Sequence, residues 1–346
     1  MAVGDIVTAE RVNQLQTAID QILGFGAGDF GYLQGFQKST GNYGPALTSY
    51  QVSNDPADNR SVATANDINN LYVDILRARI HQVGVGGNEI TDIIKNTRII
   101  KDLNVIADGE SFFVDNDGVQ TIDPEGFAKG IADLEDLMTK IQEDRLICHY
   151  SQGVYETGMT SLRTDPWNES IRFVGKVVFD DFHHRRSFFN AGGEIRFQTE
   201  LENPDGLKSG DWADLLASAS VVKFNYNETI TTVQGQGRLI GNDQLTYDYQ
   251  TIFTKSSNGS FLSGVYAANM FSIQAKLNSD NIIEFRYLYD DVVASGTVDN
   301  AVAGSLTAEL GIFRPKGTFA EAEDNIFNVE VPPPVYEIVT EISEDY

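Results

Sequence analysis

Apolar positions along this chain follow two different periods, and the change between them divides it. TAERVNQLQTAID at Thr8–Asp20 aligns with TANDINNLYVDIL at Thr64–Leu76. Thr8 and Thr64 stand where a helix N-cap belongs, and Glu10 and Asp67 place an acid in each first turn. Apolar side chains then recur at helical spacing, as Val12, Leu15, Ile19 and Ile22 in one copy and Ile68, Leu71, Ile75 and Ala78 in the other. The pattern predicts two short amphipathic helices related by duplication. They are expected to pack as a pair or to dock on a neighbouring subunit through Val12, Leu15, Ile19, Ile68, Leu71 and Ile75. Asp123 as N-cap and Pro124 at the first helical position open a third helix. Its apolar residues Phe127, Ile131, Leu134, Met138 and Ile141 have heptad spacing, so they fill the chain's own core or bundle identical subunits. Ahead of it, FFVDNDGVQTI predicts a hairpin turning at Asn116, Asp117 and Gly118.

From about Arg145 helical periodicity gives way to short β-type runs separated by Gly, Asn, Asp and Ser. The runs are Ile171–Phe182, Gly193–Leu201, Val221–Tyr226, Glu228–Val233, Leu245–Phe253, Met270–Leu277, Asn281–Tyr289 and Ser305–Phe313, with one helix expected at Asp211–Ala217. In EFRYLYDD, Phe285, Tyr287 and Tyr289 alternate with Glu284, Arg286 and Leu288, which places the aromatic rings on one face of a strand. Three prolines, Pro332–Pro334, then form a stiff spacer before an alternating tail with Tyr336, Ile338 and Ile342 on one side. That tail is expected either to add a strand to a neighbouring subunit or to remain a disordered acidic extension. The fold class predicted is α+β. A helical attachment region spans 1–144, an antiparallel β-sandwich or barrel 145–328, and an extended tail 329–346.

Composition narrows the function. Fifty acids against 25 bases give a net charge of −25, which repels nucleic-acid phosphates and anionic membrane surfaces. Such a charge favours solubility and opposes unwanted self-association. No run approaches the roughly 18 apolar residues of a membrane span, and MAVGDIVTAE is not expected to act as a secretory signal. The lone cysteine, Cys148, allows no intrachain disulfide.

Candidate chemistry is sparse. Gly26, Gly28 and Gly31 match G-x-G-x-x-G but follow a helix and precede aromatic sequence, whereas the dinucleotide fingerprint follows a strand. Phe113 stands where a calcium loop needs its first acid. The four histidines, His81, His149, His183 and His184, form no zinc motif, and no serine-nucleophile or phosphate-loop pattern occurs. His183–Arg186 is expected to be a solvated or interface loop whose bases pair with acids, on this chain or another subunit. Neighbouring acids such as Asp180–Asp181 and Asp290–Asp291 suit a glycosidase only if two carboxylates converge on a substrate. Trp167 and Trp212 lie in polar, loop-like sequence, where a ring either fills a pocket or stacks on a sugar. No catalytic residue, cofactor or metal is expected.

The two segments VTAERVNQL and VATANDINNL, followed by HHRRSFFNAGGEIRF in the β-rich region, carry a resemblance. The chain resembles virion structural proteins of tailed bacteriophages, through the TA-x-x-[VI]-N-x-L opening and the FFNAGGEIRF stretch. The matching segments cover a modest part of the chain. The resemblance implies a non-enzymatic particle component, made in the host cytoplasm and located in the tail or neck as a tail fibre, collar fibre or baseplate component. Its implied partners are copies of itself and other virion proteins. A trimer is favoured, with Phe127, Ile131, Leu134, Met138, Ile141, Tyr336, Ile338 and Ile342 as candidate interface residues. Phe188, Phe189, Arg185 and Arg186 would organise the β domain from a rigid loop or strand pairing, with Asn190–Gly193 as its turn. A carbohydrate-binding module recognising a host-surface glycan is the alternative, and a polysaccharide-degrading tail enzyme a third reading.

Overall fold

The structure, a computed structural model, describes residues 9–24, 71, 74–75, 78–84, 112–114, 120–122, 131–231, 237–257, 266–292, 301–316 and 331–342. It combines helices with antiparallel sheets and divides into two compact units. One comprises Met1–Val154 with Pro315–Val331, the other Tyr155–Arg314 with Pro332–Tyr346.

The first unit holds α1 (Ala9–Leu23), a small hairpin of β1 (Phe112–Val114) and β2 (Gln120–Ile122), and α2 (Ile131–Glu143). The hairpin forms where it was expected, although its turn residues lie outside the described set. Residues 71, 74–75 and 78–83 are also helical. Leu15, Ile19, Ile22, Leu71, Ile75 and Ala78 are all buried, as the helical spacing requires. Polar contacts fix how these helices meet. Arg11 makes a two-pronged pair with Glu135 at 2.7 and 2.6 Å, Arg79 bonds Asp144 at 2.7 Å, and the Gln82 amide donates to the Ile141 carbonyl at 2.8 Å.

The second unit is built from two open sheets. Its strands are β3 (Gly153–Arg163), β4 (Ser170–Val178), β5 (Glu194–Asp205), β6 (Val222–Phe224), β7 (Thr229–Thr231), β8 (Gln250–Ser256), β9 (Met270–Ser279), β10 (Ile282–Asp290), β11 (Ala303–Pro315) and β12 (Val335–Ile342). One sheet runs β12-β4-β10-β9-β8, the other β3-β11-β5-β6-β7. They do not close into a barrel. Strict alternation drives the pairing of faces: Ile283, Phe285, Tyr287 and Tyr289 on β10 are buried while their neighbours are half-exposed. Across the interior Phe197 of β5 meets Phe285 edge-on at 4.8 Å, and Tyr287 donates its hydroxyl to the Glu309 carbonyl at 2.9 Å.

Two helices complete this unit. α4 (Leu207–Ala219) packs on β5 and overlaps the helix predicted at Asp211–Ala217. The other, α3 (Phe182–Asn190), corrects the sequence reading: HHRRSFFN is a helix, not a loop. Asp181 caps it by accepting the His184 N–H at 2.7 Å. Gly193 and Gly192 close its end by donating to Phe188 and Phe189 carbonyls at 2.8 and 3.0 Å, with Gly192 at φ 83°. The glycine turn therefore lies where it was expected, but it ends a helix. Packing explains why so polar a segment is helical. Phe188 and Phe189 are completely buried, and their rings reach Phe179 and, through Phe189, Phe224.

Both conclusions can be checked by denaturant unfolding. Phe188→Ala should cost about 3–5 kcal/mol, the usual loss for a buried phenylalanine. Gly158→Ala would set a methyl group 1.6 Å from the Leu310 carbonyl oxygen, so overpacking at β3 should cost at least about 1–3 kcal/mol.

Candidate functional site

The two sides of the sheet pair are unlike. On one side, Gly237 bridges to Phe253 in β8 and Arg238 to Thr229 in β7, so a short strap ties the two edge strands together. On the other side the edges are β3 and β12, joined through Tyr336, whose hydroxyl donates to the Thr157 carbonyl at 3.3 Å. Each stands at the end of its sheet in the order of described strands. Natural edges are usually short or charged, which prevents stray pairing. β3 instead runs for 11 residues and leaves Met159 and Leu162 41% and 60% exposed. Tyr155, also on β3, is held in place: its hydroxyl donates to Glu309 at 2.7 Å and its ring lies 5.4 Å from the Arg196 guanidinium. Burial, reinforced by the Glu309 carboxylate, pushes this phenol above its ordinary range.

The residues expected at a subunit interface have other neighbours. Leu134, Met138 and Ile141 are buried within the chain's own fold, where Leu137 joins them. This heptad face is accordingly core in the described chain. Ile131 is helical, while Phe127 lies outside the described residues. The tail does add a strand, but to its own chain: β12 pairs antiparallel with β4 from Val335↔Val178 to Ile342↔Arg172. Tyr336, Ile338 and Ile342 are thus strand residues, and Tyr336 is half-buried. Of the candidate docking residues, Leu15, Ile19, Leu71 and Ile75 are buried in the first unit. Ile68 and the side chain of Val12 lie outside the described set.

Histidine and arginine in α3 serve the fold. The His184 ring is buried, accepts the Asp180 N–H through Nδ1 at 3.2 Å and donates from Nε2 to the Pro332 carbonyl at 2.7 Å. That pattern is the one a neutral imidazole can satisfy, and it anchors the proline spacer that launches β12. Arg185 lies 5.6 Å from the Phe182 ring and faces Asp280 and Tyr247, and burial lowers its pKa from the ordinary value. Phe182 and Tyr247 remain 45% and 61% exposed, and the Tyr247 hydroxyl donates to Asp280 at 2.7 Å. Among the described residues no group of three or more His, Cys, Asp or Glu is placed to hold a metal. No described helix is long and apolar enough to cross a membrane.

One further cluster was invisible in the sequence. The β3–β4 connection, the start of α4 and the end of β10 meet at one end of the sheets. There the Lys208 ammonium pairs with Asp291, both side chains being sealed from solvent. Lys208 also donates to Asn168 Oδ1 at 3.1 Å. The Trp212 indole lies against Asp291 and meets Trp167 edge-on at 4.9 Å, with Tyr289 beside both rings. Both tryptophans thus fill the interior. Burial raises the Asp291 carboxyl, and contacts with Lys208, Asn269 and Trp212 oppose that shift. The backbone supports the arrangement: Asp291 N–H donates to the Glu169 carbonyl at 2.8 Å, and Glu169 is held at φ 71°. A non-glycine residue in that region is strained and persists only where its surroundings hold it. Asp180 and Asp181, by contrast, flank the start of α3, where Asp181 is the N-cap.

Against known proteins, the chain matches no family model, no curated protein and no solved structure.

Buried Asp211 provides a pH test in this unit. Burial raises its carboxyl above the ordinary 3.8, against a hydrogen bond from Ser257 at 2.7 Å. The native state therefore holds this proton more tightly than the unfolded chain, so its stabilising effect is complete at low pH and is lost as pH rises through the raised value. Asp211→Asn should melt above the wild type at pH 7, with the gap closing on acidification in a thermal series.

Proposed function

We propose that this chain is a non-enzymatic structural component of a bacteriophage particle, self-assembling in the tail or neck as a tail fibre, collar fibre or baseplate component. The observation that carries the reading is the exposed apolar surface of the 11-residue β3, where Met159 and Leu162 face solvent. Apolar side chains exposed together on one long strand gain burial when another subunit covers them. β12 offers a second edge on the same side. The TA-x-x-[VI]-N-x-L and FFNAGGEIRF segments support the phage assignment. A charge of −25 keeps free subunits apart in solution until specific contacts form.

The partners on this reading are copies of the chain, with a trimer favoured, and other virion proteins. The interface belongs on β3 and β12, because Leu134, Met138 and Ile141 already face their own fold. A second reading, glycan recognition at a tail tip, has its own observation. Exposed Phe182 and Tyr247 flank Arg185 and Asp280, and aromatic faces beside polar groups suit a sugar ring.

Light scattering behind a sizing column discriminates. Assembly through β3 should give a trimer or larger mass, and Met159→Lys combined with Leu162→Lys should shift it toward the monomer without lowering helix or strand content. A wild-type monomer at high concentration rejects self-assembly. Tyr247→Ala should leave the mass unchanged.

A further inference from the structure

We propose that Lys208 and Asn168 form an intramolecular isopeptide bond, with Asp291 carrying the proton that the reaction moves. The inference rests on the buried cluster at the end of the sheets and is independent of the phage reading.

Three features of the site fit this chemistry. The first is proximity. Lys208 Nζ lies 3.1 Å from Asn168 Oδ1, and the amide carbon is one bond further along the same side chain. A nucleophile already hydrogen-bonded to the carbonyl oxygen needs only a small displacement to reach the carbon bonded to it, where attack starts from about 3–3.5 Å. The second is a proton carrier. Asp291 is in contact with the same nitrogen and is sealed from solvent together with it. The third is burial of the two charged groups: Lys208 and Asp291 are sealed from solvent, and the Trp212 indole lies against Asp291. Away from water an ion pair loses the hydration that supports its charges, which lowers the cost of passing a proton between its partners. Burial pushes the Asp291 carboxyl upward, in the same sense.

The step balances without any added reagent. Asp291 takes a proton from Lys208, and the free Nζ lone pair attacks Cγ of Asn168. A carbon–nitrogen bond forms as the carbonyl electrons move onto Oδ1. The acid then delivers its proton to the Asn168 amide nitrogen as the carbonyl reforms, and the old carbon–nitrogen bond breaks. The carboxylate takes up the remaining proton of the new N–C linkage and hands it to the departing ammonia, which leaves as ammonium, so that a neutral secondary amide and the starting carboxylate remain. No oxidant or reductant takes part. Asn168 is itself exposed, so the ammonia has a direct route to solvent. Asn168 is the better electrophile of the two partners of Lys208. An ionised carboxylate resists attack by an amine, and its departure as water needs a second acid, which the described cluster does not contain. The new amide would tie the β3–β4 connection to the start of α4 and replace a buried charge pair by a neutral link.

The test is the intact mass of the purified full-length chain under denaturing conditions, followed by a tryptic map. The expected mass is one ammonia below that of the sequence, with a branched peptide joining the Asn168 and Lys208 segments. Asn168→Ala alters an exposed side chain and should fold. It should show the full mass of its own sequence and lose the branched peptide. Asp291→Ala, with folding checked by circular dichroism, should likewise remain unlinked. A wild-type chain at full mass overturns the proposal. So does a loss of one water with a Lys208–Asp291 link. An ammonia deficit that survives Asn168→Ala also overturns it, because that deficit would arise elsewhere.

Discussion

Aromatic interlocking between the two sheets is the constraint on which the second unit depends. A run of rings passes from Phe179 through Phe188, Phe189, Phe224, Phe285 and Phe197 to Tyr287, with successive centroids 4.8–5.7 Å apart. Each such pair is worth about 0.5–1.5 kcal/mol beyond the area it buries. The run takes rings from both sheets and from α3, so none of these elements can be displaced without opening the others. α3 is held by its two phenylalanines, and through His184 it holds the proline spacer. The spacer in turn sets where β12 begins.

Charge is distributed around this interior in a consistent way. Bases are drawn into specific partnerships: Arg314 with Glu156, Arg196 with Glu194, Lys208 with Asp291, Arg79 with Asp144 and Arg11 with Glu135. On the outer face of one sheet, Glu284 of β10 sits between Lys176 of β4 and Lys276 of β9 and accepts a hydrogen bond from Tyr249. Burial alone would raise Glu284, but the hydroxyl and the surrounding cations outweigh it and hold the carboxyl below its usual range. With 50 acids against 25 bases, the surplus of acids sets the sign of the charge the molecule presents.

How much of this was legible depended on whether a segment's own pattern matched its burial. β10 was readable because Phe285, Tyr287 and Tyr289 alternate strictly, and strand and core demand the same period. β3 was missed because an edge strand is wet on both faces, so GVYETGMTSLR shows no apolar alternation. α3 was misread because His183, Arg185 and Arg186 dominate a segment whose only strong apolar signal is the adjacent Phe188–Phe189 pair. The bracketing signals were present, in Asp181 before the helix and Gly192–Gly193 after it. The cluster of Asn168, Lys208 and Asp291 had no such signal. Its members are far apart along the chain, and convergence of distant residues is a property of topology rather than of spacing. The exposure of Met159 and Leu162 likewise follows only from the order of strands.

The pairing of β12 with β4 also has a consequence in time. Val335 lies opposite Val178, so β4 and the rest of its sheet leave the ribosome long before the strand that covers their edge. Contacts between segments so distant in sequence form late, because a long loop must close first. During synthesis β4 is a vacant edge, open to any strand of similar pattern, including a β12 from a neighbouring nascent chain. A fold whose outermost strand arrives last is suited to strand exchange between copies made on one message.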